Sequence, residues 1–367
     1  MRFDDDRLQE LTSFRTQDGS YFRRGYVTFN AKAGQWGMRL ENDFAIAANL
    51  KSIREMWISH PFAGGDLLIG QHKPFRGLEE LSSSNELSVM ERPFFATTMF
   101  GDNVARQFQP GLFWRRKLGP TAMLQVSTYN ANHGLGQPVG PGYGTANRLS
   151  WYPINTPERV VYFGAMAGYD RFNGKAPGAR STRYAGRSSA GGNVIAPSQR
   201  VLTVGDDAGQ LYGGIEAAYG VGPVHLQSEV LVSSYEDARG PGQDDRVLSY
   251  YGQLSAFLTG ERKEYQIAKA RFGTPHQFRN SWGAVELAAR YDAIENLDRR
   301  ASSGSGVCQA SSSVVIAGAE CEQHAMTVGL NYYVTPLTRV MVNVVNGWNT
   351  VTDDHTQSMN LRVQLAF

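Results

Sequence analysis

IGQHKPFRGLEELSSSNELSVMERP, Ile69–Pro93, begins as a strand and then stops behaving as one. Leu67, Ile69, Gln71 and Lys73 alternate with Leu68, Gly70 and His72, after which the alternation gives way to polar and charged residues. Ser83-Ser84-Asn85-Glu86 has the S-x-x-E spacing of a capping box and predicts a short helix starting there. The irregular stretch continues to about Arg106, in a chain whose other elements read as short strands. Connections of that length are either functional or unstructured. We expect the rest of the chain to form a closed sheet and residues 74–105 to fold into its interior. A solvated surface loop is the competing reading on length alone.

Composition supports one repetitive sheet. The 367 residues include 40 Gly, 18 Phe, 17 Tyr and 6 Trp, and no run approaches the roughly 18 apolar residues that a membrane helix needs. Mean hydropathy is only −0.36. A chain this aromatic and this polar fits a transmembrane barrel, in which lipid-facing and water-facing residues alternate. The net charge of +2 gives no sign of a nucleic-acid partner. Arginine outnumbers lysine 29 to 7. Its rigid fork suits phosphate and carboxylate, pointing to anions inside or lipopolysaccharide outside, although a high-GC genome gives the same bias. Cys308 and Cys321 lie in a Ser/Gly-rich connection. A disulfide there fits an oxidising compartment and contributes about 3 kcal/mol; two unpaired thiols are the alternative. No signal peptide is visible at MRFDDDRLQE, so an exported form has lost it.

Alternation marks 16 strands, the first a weak one within Arg2–Leu11. In Tyr21–Lys32, Val27, Phe29 and Ala31 oppose Arg24, Tyr26, Thr28 and Asn30. Trp36–Asn49 follows a tight turn at Ala33-Gly34. Hairpins turn at Gly119-Pro120, Gly222-Pro223 and Thr335-Pro336, while residues 172–207 and 296–322 read as long loops. The last strand, Ser358–Phe367, sets Met359, Leu361, Val363, Leu365 and Phe367 against Asn360, Arg362, Gln364 and Ala366. An even number of roughly 10-residue alternating segments, with short turns alternating with long loops, is the pattern of an outer-membrane barrel. Such a sheet must close, because lipid offers no partner for backbone groups. The expected fold is therefore all-β, a single domain over residues 1–367. It is a 16-stranded antiparallel transmembrane β-barrel with an inward-folded constriction loop.

Seven stretches, in order, resemble the phosphate-selective porin O/P family. They are Phe22–Gly25, Leu40–Phe44, Gly70–Arg92, Tyr250–Tyr265, Trp282–Asp292, Val328–Val334 and the final LRVQLAF. The resemblance covers nearly the whole chain. It implies a homotrimer in the bacterial outer membrane, with a narrowed lumen where arginines and lysines pass anions along a phosphate site. Carried over by position, Arg23, Arg24 and Tyr26 match basic and aromatic lumen positions, and Asp43 an acidic one. Ser83 and Ser84 match serine donors on the constriction loop, followed by Arg92. Arg180, Arg183 and Arg187 match an arginine-lined inward loop. Where phosphate-selective members place lysines, this chain has Glu80 and Gln266, and a third position near Pro275 has no counterpart. The implied site is therefore incomplete, and Glu80 is expected to repel anions.

Chemistry of other classes is absent from the sequence. The seven histidines show no metal-ligand spacing, and no cofactor site, nucleophile elbow or phosphate loop is present. An isolated strand histidine such as His225 reads as a lumen-wall residue. The expected function is a diffusion channel for small anionic or neutral solutes, embedded in outer-membrane lipid and lipopolysaccharide. A non-conducting receptor or anchoring barrel is the alternative. A soluble all-β protein is a second rival, and it requires the apolar strand faces to pack against one another.

Overall fold

The computed structural model describes residues 3–4, 22, 24–45, 52–100, 107–131, 142–172, 178–183, 198–204, 208–237, 242, 244–275, 277–298, 322–349 and 354–366. Sixteen of its strands form one antiparallel sheet. The first group is short: β1 (Phe3–Asp4), β2 (Tyr26–Ala33), β3 (Trp36–Asp43), β4 (Ile53–Phe62), β5 (Gly65–His72), β6 (Gln109–Lys117) and β7 (Ala122–Tyr129). Two longer strands follow, β8 (Tyr143–Asn155) and β9 (Arg159–Arg171), then a separate hairpin, β10 (Gly178–Arg183) with β11 (Ser198–Val204). The main sheet resumes with β12 (Gly209–Val221), β13 (Val224–Glu236) and β14 (Asp245–Phe257). A second small hairpin, β15 (Glu264–Gln266) and β16 (Arg271–Gly273), precedes β17 (Ala284–Asn296), β18 (Glu322–Thr335), β19 (Thr338–Asn349) and β20 (Asp354–Leu365).

Every main-sheet strand pairs with its predecessor in that sheet, with two exceptions at its ends. β1 pairs with β20, Phe3 opposite Ser358, so the two ends of the chain meet. β1 and β2 stand at opposite ends of the strand order although they are successive in sequence. The connections that the sequence marked as tight are tight, with Gly34, Gly119 and Gly222 at φ of 58°, 71° and 50°. Side chains sort by the two-residue period. Phe29, Leu361, Val363 and Leu365 are each at least 65% exposed, whereas Ser249, Glu286 and Asn331 are completely buried. The apolar face is outside and the polar face inside, the inverse of a soluble sandwich. That disposes of the soluble rival and leaves lipid as the solvent of the outer face.

Two expectations fail in detail. The long connection carries the helical turn α1 (Leu78–Leu81), which ends before the serines, and a π-helical turn at Phe95–Met99. At Ser83 the hydroxyl accepts from Asn85 N at 3.3 Å, and Glu86 N donates to the Ser83 carbonyl, closing a turn rather than starting a helix. The strand expected to run to Asn49 ends at Asp43, whose Oδ1 accepts from Gly25 N (2.9 Å) and Ala45 N (3.2 Å) and so folds the chain back. The hairpin β10–β11 falls within residues 172–207, which the sequence reads as a long loop.

The connection between β5 and β6 enters the barrel and is fastened to its wall by polar side chains. Arg76 NH2 donates to Asp170 on β9 at 2.9 Å and to the Tyr129 hydroxyl on β7 at 2.7 Å. Glu229 on β13 accepts from the backbone N–H of Leu78 (2.7 Å) and Glu79 (2.8 Å), the first residues of α1. Farther along, Ser88 Oγ donates to Glu286 (2.5 Å) and Phe94 N to Asp292 (2.9 Å), both on β17. On the remaining strands, Arg339 NH1 donates to the Leu87 carbonyl at 2.7 Å and Gln364 Nε2 to that of Asn85 at 3.3 Å. Partners drawn from β7, β9, β13, β17, β19 and β20 place the loop inside the sheet.

Candidate functional site: the channel lumen

The loop is fastened along β7–β20 and leaves a cavity of about 1570 Å³ bordered by β2–β6 and by residues of β17–β20. Among the described residues, nine Arg or Lys side chains line it and three Glu. The sequence brings these cations together by three routes. Arg39 and Arg362 are ordinary lumen-facing residues of β3 and β20. Arg54 is there because of a β-bulge: the register of β4 slips between Glu41/Glu55 and Asn42/Ile53, so the consecutive Arg54 and Glu55 both turn inward. Lys269 and Arg271 arrive on the β15–β16 hairpin, which reaches in between β14 and β17.

That hairpin belongs to residues 258–283, on the end of the barrel where the other described connections are short turns. It is held by Arg148, whose side chain is fully buried. Arg148 pairs with Glu216 at 2.8 Å and donates through NH1 to the Ala270 carbonyl at 2.9 Å. Tyr265 and Phe272 pack the hairpin against Tyr152 and Tyr162. Arg271 NH1 donates to the Leu81 carbonyl at 2.8 Å, and Glu86 bridges Arg271 (3.3 Å) and Gln266 (3.1 Å). The two inward segments thus touch, one entering from each end of the barrel.

Most of the lining charge is paired. Arg39 bonds Glu41 (2.6 Å) and Glu55 (2.6 Å), and Arg54 Nε bonds Glu41 at 2.9 Å. Lys73 Nζ donates to the Glu80 carbonyl (2.5 Å) and stands 3.6 Å from its carboxylate. Burial, reinforced by repulsion from Arg92, holds the Lys73 ammonium well below the usual lysine range.

The residues picked out by sequence are distributed unevenly. Arg24, Tyr26 and Ser83 line the cavity. Asp43 is buried in the turn described above, and Ser84 is buried in the loop. Glu80 is 2% exposed and lies between Lys73 and Arg92, 3.8 Å from the latter, so its carboxylate is neutralised inside the loop and does not stand in an anion's path. Arg92 ties the loop together, its NH2 donating to the Ser82 carbonyl at 2.6 Å and its Nε to that of Glu79 at 3.3 Å. Arg180 and Arg183 lie on β10. Arg23, Arg187, Cys308 and Cys321 fall outside the described residues. Arg54, Lys73, Lys269 and Arg271 were not singled out. For Arg39 and Arg362 the strand alternation was signal enough; for Arg54 a strict alternation points the wrong way.

Comparison with known proteins places this architecture. A sequence model described as phosphate-selective porin O and P matches residues 1–367. Porin O of Pseudomonas aeruginosa is 24% identical over 96% of this chain and 83% of its own. Among solved structures, the anion-selective porin of Comamonas acidovorans aligns over 94% of this chain and 89% of its own, with a TM-score of 0.55 at 12% identity. The trimer form of OmpT from Vibrio cholerae aligns over 94% and 92%, with a TM-score of 0.53 at 8% identity.

Proposed function

The chain belongs to the phosphate-selective porin O and P family, a channel of the bacterial outer membrane rather than an enzyme, and from that premise we propose a diffusion pore for small hydrophilic solutes with a modest anion preference. The observation that carries the preference is the lining of the open side: among the described residues, nine cationic side chains against three carboxylates. Fixed charges of this kind replace part of an ion's hydration while remaining weak enough to release it. Extensive pairing keeps the preference modest. The lysine positions of phosphate-selective members hold Glu80 and Gln266, both engaged within the loop contacts, so no dedicated phosphate site is assembled from them.

The family resemblance and the wall heights both favour a homotrimer. β2, β3, β5 and β7 have 8 residues each, short of the roughly 9–11 that a tilted strand needs to cross the hydrocarbon, whereas β8 and β9 have 13. A low wall suits burial against other copies better than exposure to lipid. The OmpT relative has a trimer form, and this chain is read likewise. A non-conducting anchor remains the alternative in function, and single-channel recording separates the two. Reversal potential across a planar bilayer under a salt gradient tests the main reading: a modest anion-selective potential is expected, with phosphate blocking only at millimolar levels. Silence supports the anchor, and a cation-selective potential or micromolar phosphate block overturns the proposal.

A further inference from the structure

One guanidinium in the cavity is mounted differently from the others. Arg54 lies between two rings, its central carbon 4.1 Å from the centroid of Tyr26 and 4.6 Å from that of Phe108. Its Nε is committed to Glu41. Its terminal nitrogens make no hydrogen bond to any described residue, and its side chain, 12% exposed, borders the cavity. Two stacked rings and the Glu41 bond fix the plane, so the outer edge offers its N–H groups in a set direction. That is the arrangement that takes a carboxylate through two parallel hydrogen bonds.

The surroundings select among anions. Arg39 and Arg54 are matched by Glu41 and Glu55, and Lys73, over the same Phe108 ring, by Glu80, so these pairs add little net charge beside the fork. A strongly hydrated dianion such as phosphate needs several donors and a net positive site, and one fork does not supply them. A monocarboxylate is satisfied by one fork. Trp57, half-buried and on the same strand as Arg54, borders the same cavity. Ring faces add roughly 0.5–1.5 kcal/mol for an aromatic partner beyond the area it buries.

We propose that Arg54 is the recognition point for monocarboxylates with an aromatic or similarly apolar body, the carboxylate on its fork and the body against Trp57. The inference rests on the channel reading and names the solute class for it. The test is block of chloride current through the full-length protein in a planar bilayer by benzoate, acetate and phosphate, compared at equal concentration. Benzoate is expected to block at roughly three- to tenfold lower concentration than acetate, a ratio set by the ring contribution, and lower also than phosphate. Arg54→Lys keeps the charge and removes the fork, and Trp57→Leu keeps every charge and removes a ring; each should erase most of the benzoate advantage. Equal block by benzoate and acetate, tighter block by phosphate, or benzoate block unchanged in both variants overturns the proposal. A silent or cation-selective wild type instead overturns the channel reading, and this inference with it.

Discussion

Single residues show how charge is allocated. Glu80 reads in the sequence as an acid at the narrow point, but it is the anion that holds Lys73 and Arg92 together. Glu80→Gln should therefore leave two buried cations uncompensated and cost about 3 kcal/mol, the usual penalty for breaking a buried pair. It should show as unfolding at a lower temperature in detergent. Glu80→Lys, which a lining acid would make a gain in anion selectivity, should be worse still. Lys73 adds a pH dependence. Its folded-state pKa lies below the unfolded value, so its charged form is penalised in the fold. The penalty is full below the folded value, shrinks as pH rises past it and is gone only above the unfolded value, so stability from this group increases toward alkaline pH. Its lumen charge falls over the same window, so anion preference should decline below the usual lysine titration range. Reversal potentials recorded from neutral to alkaline pH check this, and a flat profile assigns Lys73 no share of the field. Arg54 marks the limit of reading residues one by one: strict alternation aims it at lipid, and only the bulge turns it inward.

At the scale of elements, the strands were legible because each wears its environment on a two-residue period. β20 is the plainest case, with Leu361 and Val363 more than half exposed on one face and Gln364 turned inward to the loop. Arg at 361 or 363 should impair assembly by about 2–4 kcal/mol as a lipid-facing charge. Gln364→Arg should be tolerated better, as read by the yield of folded protein in membranes; equal losses would contradict the assignment of faces. The inward hairpin was not legible. Its strands have three residues each, too few for a period, and Tyr265 and Phe272 look in sequence like any loop aromatics. The helix was misplaced for a related reason. The fastening of α1 comes from Glu229, about 150 residues away, not from a local serine. Replacing residues 264–273 by a short turn should enlarge the pore and remove Lys269 and Arg271 together. Single-channel conductance is expected to rise while anion preference falls; unchanged conductance would mean that the hairpin does not narrow the path.

Across the whole molecule, several wall acids serve as fasteners, helped by Arg76, Arg92 and Arg339, while the open lumen is lined mainly by cations. Asp170, Glu229, Glu286 and Asp292 hold the loop, and cations such as Arg39, Arg54, Arg271 and Arg362 line the open lumen. Hydropathy and strand count foretold a barrel with something inside it. They could not foretell which charges would be spent on fastening, since that depends on pairs of residues up to 279 positions apart. The fastening also has a mechanical side. A loop joined to six strands behaves as a strut across a tube. Swinging it aside means breaking bonds at several strands at once, leaving carboxylates buried and bare, which costs far more than the roughly 2.3 kcal/mol that 100 mV gives per elementary charge. Such a tube should hold its bore under an applied field. Recordings at 100 mV of either polarity are expected to be quiet, without stepwise closures, and Glu229→Ala, which cuts the strut at α1, should bring flicker.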